Sequence, residues 1–423
     1  MKNSSLTLRL IILNFLEFAV WGAYLTSLGR YLGNIGLGPQ IKWFFAMQGI
    51  VSIFMPAITG IIADKHIQAQ KVFSACHLLA GIFMIGAAIY CKNAGDGIEF
   101  APLFTLYSIS VAFFMPTIAL ANTVAYNALG KAGKDPVKAY PPIRVFGTIG
   151  FIISMLATNW VKVSGVAMQD SYTQLLSSGV LSVILCGYAL TMPQCPVNKG
   201  SKGSITEALN LKAFKLFKDP QFAIFFIFSM LLGASLQVTN GYANTFLGSF
   251  GADPALAGTF AVKNSNALLA ISQASETLCI LLIPFFMKRF GIKKVMLIAM
   301  FAWVFRFGFF GLGQPDMPGV ILFILSCIVY GVAFDFFNIS GSLYVEQNAS
   351  TDIKASAQGL FMLMTNGLGA TIGTLAAGEV VEACVYNTAT PSWSNAWYIF
   401  AAYSLVVAIV FAIIFKDPQK KQI

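Results

Sequence analysis

Charged residues are scarce in this sequence, and their scarcity excludes an ordinary soluble domain. Only 10% of the 423 residues are Asp, Glu, Lys or Arg, whereas 57% are hydrophobic and the mean hydropathy is +0.74. Soluble domains carry about 25% charged residues. We therefore interpret the chain as an integral membrane protein.

The motifs of metal, redox and nucleotide chemistry are also missing. His66 and His77 form no metal-ligand pattern, and the seven cysteines include no CxxC pair, so we interpret them as apolar packing residues. No GxxxxGK[ST] segment is present to hold the phosphates of ATP. No nucleophile elbow occurs either. We expect no metal, no cofactor and no enzymatic activity.

Long apolar runs are what the sequence does have. Runs of about 20 apolar residues can cross a bilayer as helices, and these are too long and too uniformly apolar for barrel strands. Twelve spans are predicted, at residues 7–30, 42–63, 71–91, 101–129, 141–161, 172–192, 221–248, 264–287, 294–313, 318–345, 356–380 and 394–415. The predicted fold class is all-α, integral membrane, with twelve transmembrane helices.

The net charge of +10 is distributed unevenly between the two sides of the predicted bundle. If the N-terminus is cytoplasmic, most lysines and arginines fall on the cytoplasmic side. The other side has only Arg30, Lys42, Lys92, Lys162 and Lys263. This is the positive-inside pattern, and it predicts that both termini are cytoplasmic. It also argues against a nucleic-acid-binding surface.

A hydrophilic stretch divides the chain into two halves of six spans. It predicts helical bundles at residues 1–192 and 221–423, joined by a central cytoplasmic linker at 193–220. The segment Val111–Phe114 (VAFF) of the fourth span recurs as Val332–Asp335 (VAFD) of the tenth, which indicates an internal duplication. Parallel six-helix repeats, with a substrate site between them at the midplane, describe the major facilitator architecture.

Five charged residues lie inside apolar runs, where an ionised side chain costs about 2.5–3.5 kcal/mol on insertion scales. They are Glu17, Arg144, Glu276, Arg306 and Asp335. Such residues usually face a wet cavity, pair with an opposite charge or carry a proton. Arg306 is a possible partner of Asp335, but ninth helices are peripheral in this architecture, so we favour a structural role for it.

Two motifs of the first half have a functional and a structural interpretation. Arg144, Thr148 and Phe151 share one face of span five, and the guanidinium suits either substrate oxygens or a structural ion pair between helices. The segment Gly60–Lys65 resembles the Gly-x-x-x-Asp-Arg/Lys signature between the second and third spans of the superfamily. Asp64 is therefore expected in a gating loop, and an ordinary charged loop is the alternative.

Amide side chains recur on neighbouring spans of the second half. Gln237 and Asn240 lie at i and i+3 in span seven, and Gln273 and Glu276 have the same spacing in span eight. Amides donate and accept hydrogen bonds together, which suits base edges and sugar hydroxyls. Polar bonding between helices is the alternative.

Aromatic side chains accompany two of the buried acids. Tyr330 and Phe334 lie at i and i+4 beside Asp335, a pattern that suits either a stacking platform for a base or an aromatic core. A second mixed stripe in span one consists of Asn14, Glu17, Trp21 and Tyr24.

Four segments together resemble the bacterial nucleoside permeases, which are nucleoside:proton symporters of the major facilitator superfamily. The segments are Pro141–Phe151, Phe225–Gly233, Ser272–Thr277 and Val329–Gly341. The likeness covers about residues 5–416 of the chain.

The resemblance implies proton-driven import of purine and pyrimidine nucleosides, such as uridine, cytidine and adenosine, by a monomer in the bacterial cytoplasmic (inner) membrane. By motif match, the substrate contacts fall on Arg144, Thr148, Phe151, Gln237, Asn240, Gln273, Glu276, Tyr330 and Phe334, and the proton-coupling carboxylate on Asp335. Glu17 is a second candidate for the proton, since the family often has an amide there. The alternative is a major facilitator symporter for a sugar or another small polar metabolite.

Overall fold

The computed structural model describes residues 3–197, 211–350 and 353–416, and most of these residues are helical. Before residue 198 the α-helices are α1 (Asn3–Gly22), α2 (Leu28–Asn34), α3 (Ile41–Lys65), α4 (Ala69–Ala94), α5 (Phe100–Phe114), α6 (Thr117–Lys131), α7 (Pro136–Trp160) and α8 (Thr173–Ala189). An antiparallel hairpin of β1 (Lys162–Val163) and β2 (Val166–Ala167) joins α7 to α8, with Lys162 opposite Ala167.

From residue 220 onward the longer helices are α9 (Pro220–Ser249), α10 (Ser265–Leu312), α11 (Val320–Asn348), α12 (Lys354–Met362), α13 (Ala370–Val381) and α14 (Trp393–Ile414). A wider π-helical segment, Leu363–Gly369, connects α12 to α13, and a second one, Glu382–Tyr386, follows α13. Asp219 caps α9, because its carboxylate accepts hydrogen bonds from the N–H groups of Gln221 and Phe222.

The apolar helices of the described residues agree with the twelve predicted spans. Ten helical stretches are long and apolar enough to cross a membrane, and α8 is a shorter apolar helix of 17 residues. One of the ten is the 48-residue α10, which is broken at Gly291 (φ 74°, ψ 172°) and so supplies two spans. Gly291 permits this break because a positive φ costs glycine little.

Local boundaries differ from the prediction at the predicted fourth span. The run 101–129 is divided into α5 and α6 at Met115–Pro116, because proline cannot donate the backbone hydrogen bond that would continue α5. The segment Gly60–Lys65, expected as a loop, instead forms the last turns of α3. The loop expectation was wrong because the apolar run before Asp64 continues the helix.

The chain divides into two compact units. The first lies within Met1–Leu209 and Asn240–Thr245, and the second within Asn210–Thr239 and Phe246–Ile423. The predicted linker at 193–220 lies partly outside the described residues, so the predicted domain boundaries stay a prediction.

Each unit has its own buried core. In the first unit Leu10, Phe73, Val124 and Leu129 belong to one apolar cluster and are fully buried. In the second unit the ring of Phe246 lies 5.4 Å from that of Trp397 and 5.6 Å from that of Phe323. Aromatic pairs at such distances stabilise a core beyond the burial of their area.

Glycines allow close helix packing where the candidate residues lie. A Cβ atom at Gly22 of α1 would lie 2.5 Å from the carbonyl oxygen of Phe151 of α7, and one at Gly150 would clash with the backbone of Phe15. In the second unit, a Cβ atom at Gly331 of α11 would lie 2.6 Å from the backbone of Ser275 of α10. Small residues at membrane helix interfaces permit this approach of backbones.

Candidate functional site

Asp335 lies in the middle of α11 and is buried, with 5% of its surface exposed. Its Oδ2 atom has no hydrogen-bond partner among the described residues. Glu276 of α10 is the charged group that interacts electrostatically with it. Two acids therefore lie close together in apolar helices, and one of them has an unsatisfied polar atom. A bound proton or polar ligand would satisfy this oxygen and reduce the repulsion between the two acids.

An aromatic platform lies directly next to Asp335. The rings of Tyr330 and Phe334 are stacked, with centroids 5.9 Å apart and planes 7° from parallel. Trp303 meets Tyr330 edge to face at 5.9 Å. The side chain of Gln273 lies within hydrogen-bonding reach of the Tyr330 hydroxyl. Phe334 is partly exposed, so one ring of the stack remains open to a ligand.

Close packing of α10 and α11 brings these groups together. At Gly331 the two backbones approach, and the Ser275 hydroxyl donates a hydrogen bond to the carbonyl oxygen of Ile328. Because Gln273 and Glu276 flank Ser275 in sequence, this contact sets them beside Tyr330 and Asp335. The structure thus joins two of the motifs that the sequence analysis identified separately.

Arg306 is fully buried and does not pair with Asp335. Its Nη1 donates to the carbonyl oxygen of Ser326 at 2.7 Å and to the hydroxyl of Ser272 at 3.3 Å, and its Nε donates to Thr239 at 3.3 Å. Its guanidinium carbon also lies 4.5 Å from the centre of the Tyr330 ring. These contacts join three helices behind the aromatic platform, and they support the predicted structural role of Arg306.

The amides of span seven lie on α9. Gln237 and Asn240 are both half-buried and one turn apart, so they share a helical face. Gln237 belongs to the second unit, whereas Asn240 falls in the short stretch of α9 that belongs to the first.

The predicted face of span five is present on α7. The Arg144 guanidinium carbon lies 3.7 Å from the centre of the Phe18 ring of α1. Thr148 is half-buried, and Phe151 is buried with its ring edge to face against Trp21 at 6.1 Å. Since a guanidinium over an aromatic face is held by cation–π attraction, α1 fixes the orientation of Arg144.

Glu17 is fully buried and hydrogen-bonded on both oxygens. Thr117 donates to its Oε1 at 2.7 Å, and its Oε2 lies 2.7 Å from Nε2 of His77. The sequence alone does not predict the contact of Glu17 with His77, a residue that it presents only as a candidate metal ligand. Sixty residues separate it from Glu17, and no spacing rule connects positions that far apart.

Asp64 lies exposed in the last turn of α3. Its predicted gating role depends on partners that the helix position does not identify, so this role stays a prediction.

A cavity of about 260 Å³ in the second unit is a poor candidate for a polar substrate. Its lining is almost entirely apolar and includes Met230, Val238, Phe307, Ile372 and Phe400, but none of the buried acids. In the described part of the chain no three His, Cys, Asp or Glu side chains are grouped as a metal site would require.

Comparisons with known proteins agree with the motifs. A family model described as nucleoside H+ symporter matches residues 4–420. The xanthosine permease of Escherichia coli K12 is 45% identical over 98% of this chain and 98% of its own length. The nucleoside permease NupG of the same organism is 46% identical over 97% of this chain and 96% of its own. These relatives are transporters, not enzymes.

Solved structures show the same likeness. The crystal structure of the nucleoside transporter NupG superposes with a TM-score of 0.88 at 46% identity, and covers 98% of this chain and 100% of that one. A D-xylose–proton symporter superposes with a TM-score of 0.72 at 14% identity over the full length of both chains. The fold is that of the major facilitator transporters, as predicted.

Proposed function

The chain belongs to the nucleoside H+ symporter family, and from this premise we propose that it imports purine and pyrimidine nucleosides together with protons by alternating access. The observation that carries this proposal is Asp335. A carboxyl buried in a membrane helix, with an unsatisfied oxygen and a second acid beside it, is best accommodated with a proton bound. Proton binding and release at this position give the coupling that a symporter needs.

The nucleoside contacts of the second unit follow from the neighbours of Asp335. The partly exposed face of Phe334 can stack on a base, an interaction worth about 1–3 kcal/mol. Gln273 and Glu276 offer the donors and acceptors that base edges and ribose hydroxyls require. Gln237 of α9 is a further proposed amide contact.

Four remaining contacts are proposed from the family motifs. They are Arg144, Thr148 and Phe151 of α7 and Asn240 of α9. The half-buried positions of Arg144, Thr148 and Asn240 are compatible with a role in binding. Asp64 is proposed to act in gating at the end of α3.

Membership of the nucleoside H+ symporter family also supports a cellular location for the protein. The protein is a multi-pass membrane transporter, and we propose that it resides in the bacterial inner membrane as a monomer with both termini cytoplasmic. The distribution of lysine and arginine supports this orientation.

Uptake of labelled uridine and adenosine into energised membrane vesicles tests the proposal. We expect accumulation that a protonophore abolishes, and competition by unlabelled cytidine but not by glucose or xylose. Accumulation that survives the protonophore would refute proton coupling. Competition by a sugar alone would instead support sugar transport.

Asp335→Asn separates coupling from binding. Because the amide cannot carry the proton, we expect the variant to lose uphill uridine accumulation in proteoliposomes and to retain counterflow exchange. Asp316→Asn, which changes an exposed acid between α10 and α11, is the matched control and should accumulate uridine normally. Gradient-driven accumulation by Asp335→Asn would remove Asp335 from the proton site.

A further inference from the structure

The first unit contains a buried acid–base pair whose two residues are not among the proposed nucleoside contacts. Glu17 of α1 and His77 of α4 are both fully buried, and Oε2 of Glu17 lies 2.7 Å from Nε2 of His77. Ionisable groups are costly inside a membrane protein and are usually functional there.

Hydroxyl groups hold both ends of the pair. Oγ1 of Thr117 lies 2.7 Å from Oε1 of Glu17 and 2.5 Å from the carbonyl oxygen of Phe114. Oγ of Ser182 lies 2.9 Å from Nδ1 of His77 and 2.9 Å from the carbonyl oxygen of the same residue. A hydroxyl has one proton, so it can donate fully to only one of its two neighbours at a time.

The hydrogen bonds leave one position at which the pair can take up a further proton. Thr117 donates to Oε1 of Glu17, and Nε2–H of a neutral His77 donates to Oε2, so Nδ1 accepts from the hydroxyl of Ser182. A proton added at Nδ1 reverses this last bond, because Oγ of Ser182 can accept from Nδ1–H and donate instead to the carbonyl oxygen of His77. The added proton also makes the pair neutral overall, which lowers the cost of burial.

The pair lies beside the repeat counterpart of Asp335. Val111–Phe114 corresponds to Val332–Asp335 in the duplicated sequence, and the ring of Phe114 lies 6.0 Å from that of His77. The duplicated segment has no acid in the first unit. An acid from α1 and a base from α4 lie there instead.

Other titratable groups surround the pair from three helices. Cys76 of α4 and Tyr140 of α7 interact electrostatically with Glu17, and Arg144 of α7 interacts with Tyr140. Cys186 of α8 contacts α4 through the hydroxyl of a serine. Arg144 keeps its charge at any physiological pH, whereas carboxylates and imidazoles exchange protons in that range.

We propose that Glu17 and His77 form a second proton-binding site of the carrier, which binds one exchangeable proton within the first unit. The proton adds at Nδ1 of His77, and the pair changes from a carboxylate beside a neutral imidazole into a carboxylate beside an imidazolium, which has no net charge. No other covalent bond forms or breaks. The consequence for transport rests on the proposed symport: the protonated pair keeps the polar core of the first unit closed, and its deprotonation leaves a buried carboxylate that favours entry of water.

Nuclear magnetic resonance tests the site without any transport assay. The chain has two histidines, and His66 is exposed, so His66→Gln leaves His77 as the only imidazole. Its nitrogen-15-labelled ring is followed in lipid bilayers between about pH 5 and pH 9. We expect a protonation change at Nδ1 of His77 that is lost or displaced in Glu17→Gln. Ring signals that stay constant over this range in both proteins would contradict the proposal.

Uridine exchange tests the consequence for transport. In an Asp335→Asn background the proton site of the second unit is absent, yet we expect exchange to slow as pH rises, by up to about tenfold per pH unit for one proton. Adding Glu17→Gln and His77→Gln should make exchange independent of pH. Survival of the pH dependence in this triple variant would refute the pair as its source, as would its absence in Asp335→Asn alone.

A control separates the loss of a proton site from the loss of a buried hydrogen bond. Gln48 is as buried as the pair and donates to the hydroxyl of Tyr107 at 2.9 Å, but its amide does not titrate. Gln48→Met should slow exchange and leave its pH dependence in place. If the unmodified carrier exchanges no uridine, the proposed function fails, while the histidine titration still decides whether the pair binds a proton.

Discussion

At the scale of single residues, burial of a charge does not by itself tell what the charge does. Arg306 and Asp335 both lie in apolar spans, and both are buried. Nε and Nη1 of Arg306 donate to hydroxyl and carbonyl groups of three helices, whereas Asp335 has an oxygen with no partner in the described structure. The satisfied charge therefore supports a structural role for Arg306, and the unsatisfied oxygen supports the proposal that Asp335 binds a proton or a ligand.

Arg306→Lys tests the structural role. Lysine keeps the charge but lacks the planar fork, so it cannot bond Thr239, Ser272 and Ser326 while also placing a guanidinium over the Tyr330 ring. We expect a loss of about 1–3 kcal/mol in stability, seen as a lower thermal midpoint of the purified carrier, and weaker uridine binding. Arg289→Lys changes an exposed arginine and should leave the midpoint unchanged. An unaltered midpoint for Arg306→Lys would contradict the role.

At the scale of helices, one glycine determines whether the acids and the aromatic platform meet. The approach of α11 to α10 at Gly331 leaves no room for a Cβ atom, since it would lie 2.6 Å from the backbone of Ser275 and 2.7 Å from the hydroxyl oxygen of the same residue. Gly331 has an ordinary helical backbone conformation. The position therefore requires glycine for its small size and not for its conformational freedom.

Gly331→Ala should therefore separate the two helices. Overpacking of this kind typically costs about 1–3 kcal/mol, so we expect a lower thermal midpoint. Displacement of Gln273 and Glu276 should also raise the KM for uridine more than it lowers the rate of exchange. Gly308→Ala is the matched control on α10, where a Cβ atom would contact nothing within 4 Å. Equal thermal midpoints and equal KM values for the two variants would show that close packing at Gly331 is unimportant.

At the scale of the whole molecule, the distribution of positive charge predicts the orientation in the membrane. Most lysines and arginines fall on one side of the predicted bundle, and the positive-inside rule places that side in the cytoplasm. Two exposed positions lie on opposite predicted sides: Asp96, between α4 and α5, and Lys218, just before α9.

Cysteine labelling measures this orientation directly. In a cysteine-free background, Asp96→Cys should react with a membrane-impermeant maleimide in cells whose inner membrane is intact. Lys218→Cys should react only after that membrane is permeabilised. The reverse pattern would place both termini on the outer side and overturn the orientation.

The sequence by itself determined the fold class and the residue types of the candidate site. Apolar runs of span length can be satisfied in a bilayer only as helices, so the number of spans followed from composition and length. The motifs on α7, α10 and α11 followed from helical spacing, which groups residues three and four apart. Each of these inferences depends on interactions that are local in the chain.

Only the tertiary structure decided which distant residues meet. His77 lies beside Glu17, Arg306 lies behind Tyr330 and away from Asp335, and Gly331 lies against Ser275, although no periodicity relates the members of any of these pairs. The physical reason is that such contacts depend on how separate helices pack, and packing depends on the shapes of many side chains at once. The sequence shows which charged residues lie in apolar spans. The packing of the helices determines which of these residues have a hydrogen-bond partner.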